Sequence, residues 1–357
     1  MKIAQLAPNV ERVPPDNYGG TELIVHLLTE GLVERGHEVT LFASGDSATG
    51  ARLVSVIDKP LRNHPQVLLR QWPAFDIQSL LKVREMQSQF DIVHNHMGYQ
   101  ALPYLPQLRC ANVSTNHNLV KDYSLPLYRA FKQLPYVAIS NAYRRLNHEE
   151  ELNYVATVYN SLDLEQFAIN KTSARSYLLF IGRLCEDKGT AEAIEIAQAL
   201  NLPLKIAGKV DDADRTYFEE RVKPRLNEQI QYIGEVNHAS KVDLYQKAIA
   251  VLYPIAFEEP FGLVMIEAMA CGTPLAAYNR GAVEEVLLDG ENGIIAGSRD
   301  ELIARFPELS KIKPEVCRER VRQFFSKEQM VSNYESVYQS LLNSRRSKAH
   351  DKHFAST

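Results

Sequence analysis

"KIAQLAPNVERVPPDNYGGTELIVHLLTEGLVERGHEVTLFAS", Lys2 to Ser44, is the stretch whose reading decides the fold. "KIAQLA" is a short apolar run of the kind that forms a buried strand. A polar, proline- and glycine-bearing loop follows and ends in "NYGGTE". From there Leu23, Leu27, Leu28 and Leu32 recur at helical spacing, and Gly36 is placed to stop the helix. "EVTLFAS" then reads as a second strand. Strand, glycine loop, helix, strand is a βαβ unit, which implies a parallel sheet with crossover helices.

The same alternation continues along the chain. Strands are expected at "DIVHNH", "NVSTNH", "YVAIS" and "ATVYN". After a polar stretch from Leu162 to Ser176, a second series begins with the strands "YLLFIGR", "LKIAGK" and "IQYIGEV"; "KVDLYQKAIAVLYPI" then runs helix into strand, and "PLAAY" follows as a further strand. The predicted class is α/β: two Rossmann-like doubly wound parallel-sheet domains facing across a cleft, with strand C-terminal ends on both walls. The expected domains are 1–170 and 171–325. A final helix over 326–345 is expected to pack back on the first domain, ahead of a disordered tail over 346–357.

Length and composition bound the function. At 357 residues, two domains are expected. A net charge of −4 argues against nucleic acid as the main partner, because neutralising phosphates needs a basic field. Cys110, Cys185, Cys271 and Cys317 show no CxxC spacing, which suits a reducing compartment. The N-terminus does not read as a signal peptide, and no apolar run approaches the ~18 residues of a membrane span. A cytoplasmic protein is expected, with membrane association peripheral at most.

Two second-half segments carry the chemistry. In "FIGRLCEDKG" a strand gives way to Arg183 and, five residues on, Lys188 and Gly189 before a helix. Two cations beside free helix N–H groups form an anion site, although the same pair would also serve to solvate a loop. In "FEEPFGLVMIEAMACGTP", Glu259 and Glu267 flank a nearly unbroken apolar run. Carboxylates are costly to bury unpaired, and hydroxyl-rich ligands suit such acceptors. The alternative is that Glu267 solvates a helix and Glu259 the surface. Gly19 and Gly20 in the first half would let the backbone approach a phosphate at a helix start, or simply mark a turn.

The motif GR-x4-KG (Gly182 to Gly189), together with E-x7-E (Glu259 to Glu267), resembles glycosyltransferase family 4, the retaining group 1 enzymes of GT-B fold. "YGGTE", "DIVHNH", "VAIS" and "VYNSLDLEQF" are similar to further family segments, so the resemblance spans nearly the whole chain. It implies an enzyme that moves a hexose from a nucleotide diphosphate sugar, UDP expected over GDP, to a hydroxyl of a sugar, lipid-linked or small-molecule acceptor. It further implies that Arg183 and Lys188 hold the diphosphate, with the Gly20 backbone opposite. Glu267 would take the ribose and backbone at Val236 the base. Glu259, with backbone at Phe261, Gly262 and Leu263, would hold the hexose. His117, in "STNHN", matches the family histidine beside the reacting sugar. "YNSLD" departs from the family's "PNGVD", which leaves a role for Asn160 open.

No metal and no cofactor are expected. "DDAD" (Asp211 to Asp214) contains a DxD but reads as an acidic helix start. His94 and His96 have strand spacing, with no third ligand nearby. Rival readings are a sugar-nucleotide epimerase or hydrolase on the same fold, a glycoside hydrolase using the two glutamates, and a non-catalytic nucleotide-sugar-binding module. The cation pair argues against the glycoside hydrolase, which needs no diphosphate site.

Overall fold

The computed structural model describes residues 1–16, 19–62, 64–169 and 174–354. The chain divides into two compact units, Met1–Ser161 with Lys327–Thr357, and Leu162–Ser326.

The first unit carries a seven-stranded parallel sheet in the order β3-β2-β1-β4-β5-β6-β7. Its strands are β1 (Lys2–Leu6), β2 (Glu38–Phe42), β3 (Arg52–Val54), β4 (Ile92–Asn95), β5 (Ala111–Asn116), β6 (Tyr136–Ala138) and β7 (Tyr154–Thr157). The expected βαβ unit is β1, the helix Gly20–Glu34 and β2. Leu27, Leu28 and Leu32 of that helix are buried, and Gly36, at φ +80°, follows its end. In β1 and β4 the side chains are buried on both faces except at Lys2, as a sheet covered on two sides requires.

The second unit carries a six-stranded parallel sheet in the order β10-β9-β8-β11-β12-β13. Its strands are β8 (Tyr177–Ile181), β9 (Leu204–Ala207), β10 (Ile230–Tyr232), β11 (Ala248–Tyr253), β12 (Leu275–Tyr278) and β13 (Gly293–Ala296). Every residue of β8 is buried. In each sheet the order runs outward in one direction and then reverses, at β1/β4 and at β8/β11. Such switch points open a crevice beyond the strand C-termini, where doubly wound folds take ligands. β3 and β13, both edge strands, add to the strands expected from sequence.

The final helix runs from Lys327 to Phe354. That corrects the tail expected from 346 on: no glycine or proline interrupts this span, and its charged and alanine-bearing end has ordinary helix propensity. Residues 355–357 lie outside the described residues. The helix packs on the first helix where Gly31 allows close approach, since a Cβ there would meet Val331 Cγ2 at 2.5 Å. The boundary expected at 170/171 falls instead at Ser161/Leu162. The cause is local bonding: Leu162 N–H donates to Phe325 O at 3.0 Å, and the Arg318 guanidinium donates to the carbonyls of Leu164 and Phe167.

All four cysteines are buried and free. Among the described residues, no helix is long and apolar enough to cross a membrane.

Candidate functional site

In the second unit the candidate residues gather beyond the two strands that flank the switch point. β8 ends at Ile181, so Gly182 and Arg183 open the loop that carries Lys188 to the helix Thr190–Leu200. β11 ends at Tyr253, and the loop after it carries Glu259 to the helix Leu263–Ala270. The two loops are stitched together, since Ala256 N–H donates to Asp187 O at 2.8 Å.

That contact brings the cation and the carboxylate together. Lys188 Nζ lies 2.9 Å from Glu259 Oε2, with the Glu259 side chain only 7% exposed. The ammonium also stands 4.5 Å from the centroid of Phe257, a cation–π contact. The Tyr253 hydroxyl donates to the same carboxylate oxygen. Burial, with the Glu259 charge adding to it, pushes the Tyr253 phenol well above its ordinary range, so it stays a donor. A buried carboxylate with two donors is a fixed acceptor, not a drifting surface acid.

Glu267 is held in the same manner by different groups. Lys241 Nζ lies 2.5 Å from Oε1, and the Tyr245 hydroxyl donates to Oε2 at 2.9 Å. Lys241 and Tyr245 stand four apart on the helix His238–Lys247, hence on one face. So the two glutamates do not share a partner: each has its own lysine and tyrosine. Sequence reasoning missed Tyr253, Lys241 and Tyr245. The i,i+4 spacing was visible, but nothing local ties it to a carboxylate 26 residues away.

Backbone shape completes this region. Phe261 is buried, Gly262 has φ +83°, and Leu263 begins its helix. Gly281, at φ +57°, lies against Glu259 so closely that a Cβ would meet Glu259 O at 2.3 Å and N at 2.4 Å. Ala282 N–H donates to Glu259 O at 2.9 Å. The loop after β12 thus clasps the backbone of the buried glutamate, a support not foreseen from sequence. Val236 is half-buried in the loop between β10 and the helix His238–Lys247.

Arg183 has acidic neighbours, with Nη1 3.4 Å from Asp214 and 3.8 Å from Asp211. Lys209 pairs with Asp211 and Arg215 with Asp212. Each aspartate of "DDAD" therefore already faces a cation. Among the described residues no group of three or more His, Cys, Asp or Glu is placed to hold a metal ion.

In the first unit Gly19 precedes and Gly20 begins the helix Gly20–Glu34, while Asn17 and Tyr18 lie outside the described residues. Asn160 is buried. His117 follows β5 and is half-buried, with Nε2 2.8 Å from His96 Nδ1. Burial pushes its imidazole down to about 4, and holds His94 and His96 well below the usual histidine range. His94 and His96 do share a face, with ring centroids 3.9 Å apart.

Comparison with known proteins gives consistent matches. The family model described as glycosyl transferases group 1 matches residues 163–324, and that described as glycosyltransferase family 4 matches 18–166. The chain is 26% identical to an uncharacterised glycosyltransferase of Methanocaldococcus jannaschii, over 82% of this chain and 84% of that one. Among solved structures, a sucrose-phosphate synthase from Thermosynechococcus elongatus superposes with TM-score 0.80 at 20% identity, covering 96% of this chain and 100% of that one. An Anabaena protein solved with UDP and glucose superposes with TM-score 0.71 at 17% identity, covering 96% and 100%.

Proposed function

The chain belongs to the group 1, family 4 glycosyltransferases of GT-B fold, and on that premise we propose that it moves a hexose from a nucleotide diphosphate sugar to an acceptor hydroxyl with retention of anomeric configuration. The observation that carries this reading is the Lys188–Glu259 pair, set where the sheet order reverses and stitched to the Arg183 loop. A glycosyl donor presents hydroxyls and a diphosphate side by side, which is the chemistry these groups complement.

On this reading Arg183 and Lys188 take the diphosphate. Negative charge grows on the leaving group as the glycosidic bond breaks, and preplaced cations stabilise that charge without reorganising. Glu259, with the backbone of Phe261, Gly262 and Leu263, accepts from hexose hydroxyls. Glu267 accepts from the ribose, with backbone at Val236 against the base. Gly19 and Gly20 admit a phosphate to the first helix, and His117 is assigned to the transferred sugar. Cations of the chain serve in place of a metal. UDP is favoured over GDP, a preference supported by the UDP held in the Anabaena protein.

The test is a panel of UDP- and GDP-sugars followed by proton NMR. Retained anomeric configuration in the product, with release of nucleoside diphosphate, supports the reading. Inversion, or no binding to any nucleotide sugar by calorimetry, overturns it.

A further inference from the structure

His117 ends a hydrogen-bond chain that passes through the first unit as far as the final helix. His117 Nε2 meets His96 Nδ1 at 2.8 Å, and His96 Nε2 meets Gln5 Oε1 at 2.8 Å. Gln5 Nε2 donates to the Tyr338 hydroxyl at 3.1 Å, and that hydroxyl lies 2.7 Å from His94 Nδ1. His94 Nε2 then meets Thr115 Oγ1 at 2.7 Å. Gln5, His94 and Tyr338 are fully buried, and β1 and β4 place Gln5 in register with His94.

Most members of this chain have no inherent direction. A hydroxyl donates or accepts, and a neutral imidazole carries one donor and one acceptor that can be exchanged. Gln5 is different, because its carbonyl only accepts and its amide only donates. With Oε1 toward His96, that ring must carry its proton on Nε2. Its Nδ1 is then a lone pair, and the facing nitrogen of His117 must supply the hydrogen.

We propose that His96 is a positioning residue which, oriented by Gln5, holds His117 as the Nε2–H tautomer and leaves Nδ1 as an acceptor for a ligand hydroxyl. Among the described residues His117 Nδ1 makes no hydrogen bond. Burial keeps all three imidazoles neutral at pH 7, as the tautomer logic requires. On the other side of Gln5 its amide donates to Tyr338, and donation from that hydroxyl to His94 Nδ1 and from His94 Nε2 to Thr115 would let the bonds polarise one another in one sense. The inference deepens the assignment of His117 to the transferred sugar and rests on it. A hydroxyl of that sugar would donate to Nδ1, and the ring would not donate to the sugar.

The experiment is two-bond proton–nitrogen NMR of the full chain labelled with 15N-histidine, with His117 assigned by loss of its signal in His117→Gln. In the wild-type protein at pH 7 the expected result is Nε2–H. In His96→Phe, or in His96→Gln should the first variant fold poorly, His117 is expected to become a mixture of tautomers. With a turned-over donor, kcat should fall by up to about 100-fold, as displacement of a reacting group allows, with KM little changed. A wild-type His117 protonated on Nδ1, or a tautomer unchanged in both His96 variants, overturns the inference. If His117→Gln transfers sugar at the wild-type rate, the assignment of His117 to the sugar fails instead, and the tautomer measurement shows which of the two is wrong.

Discussion

Lys188 Nζ and Glu259 Oε2, 71 residues apart in sequence, stand 2.9 Å apart at the mouth of β8 and β11. The cation assigned to the diphosphate and the carboxylate assigned to the hexose are therefore one electrostatic unit. Either substitution alone strands the other charge in a half-dry pocket. Breaking one side of a buried pair costs about 3–5 kcal/mol, and with Lys188 27% exposed the lower end applies. Lys188→Ala and Glu259→Ala should each weaken transfer and stability, while the double variant should be more stable than additivity predicts. A double-mutant cycle read by urea unfolding and by turnover checks this. Purely additive effects would deny the coupling.

Gly281→Ala probes the same glutamate from behind. The new Cβ would collide with Glu259 backbone, and the residue would sit at φ +57°, a left-handed conformation costing an L side chain about 1–2 kcal/mol. Transfer should fall by up to about 100-fold through displacement of Glu259, while nucleoside diphosphate affinity changes only a few-fold. Calorimetry beside kinetics separates the two. Wild-type turnover in a folded Gly281→Ala protein would contradict the proposed clasp.

Stability should fall with acid before the carboxylates titrate. His94, His96 and His117 are all held below the ordinary 6.5, His117 at about 4. Between those values the unfolded chain binds more protons than the folded one, so stability rises with pH across that window. It is fully present above about 6.5 and is lost as pH falls toward 4. Each imidazole contributes a slope of up to about 1.4 kcal/mol per pH unit. Denaturant unfolding between pH 7 and 5 should show the decline, with a shallower slope in His117→Gln. A flat profile over that range would count against neutral, buried imidazoles.

Turnover should survive a strong chelator. Each aspartate of "DDAD" faces Arg183, Lys209 or Arg215, so a metal there would have to displace a cation. Loss of activity in EDTA, restored by manganese, would reassign Asp212 and Asp214 to metal binding.

The segment Leu162–Ser326 should bind nucleoside diphosphate when expressed alone. Arg183, Lys188, Val236, Glu259 and Glu267 all lie within it, and it forms a compact unit of its own. Calorimetry on a fragment shown to be folded should find binding weaker than in the full chain, and transfer should be absent. Lys188→Ala should then remove most of the diphosphate preference, since a charge-assisted phosphate contact is worth about 1.5–3 kcal/mol. Binding confined to residues 1–161 would move the donor site to the other unit.

The alternation of strand and helix was legible residue by residue, because that signal lies in apolar periodicity over a few residues. β8 and β11 are buried, mostly apolar runs, as a parallel sheet covered on both faces demands, while β1 and β4 interrupt theirs with the buried polar Gln5, His94 and Asn95. Arg183, Lys188, Glu259 and Glu267 drew notice as charged residues beside glycine turns or within an apolar run, a contrast visible over a few residues. The edge strands β3 and β13 were not legible: β3 is only partly buried along its length, and β13 opens on a glycine. The boundary at Ser161/Leu162 was hidden too, because Arg318 and Phe325, which tie down Leu162–Phe167, lie more than 150 residues away. Which groups meet is set by the folded arrangement alone. Lys241 reaches Glu267, Gly281 backs Glu259, and Gln5 reaches His96 across 91 residues, since strand order, not sequence distance, sets who stands beside whom.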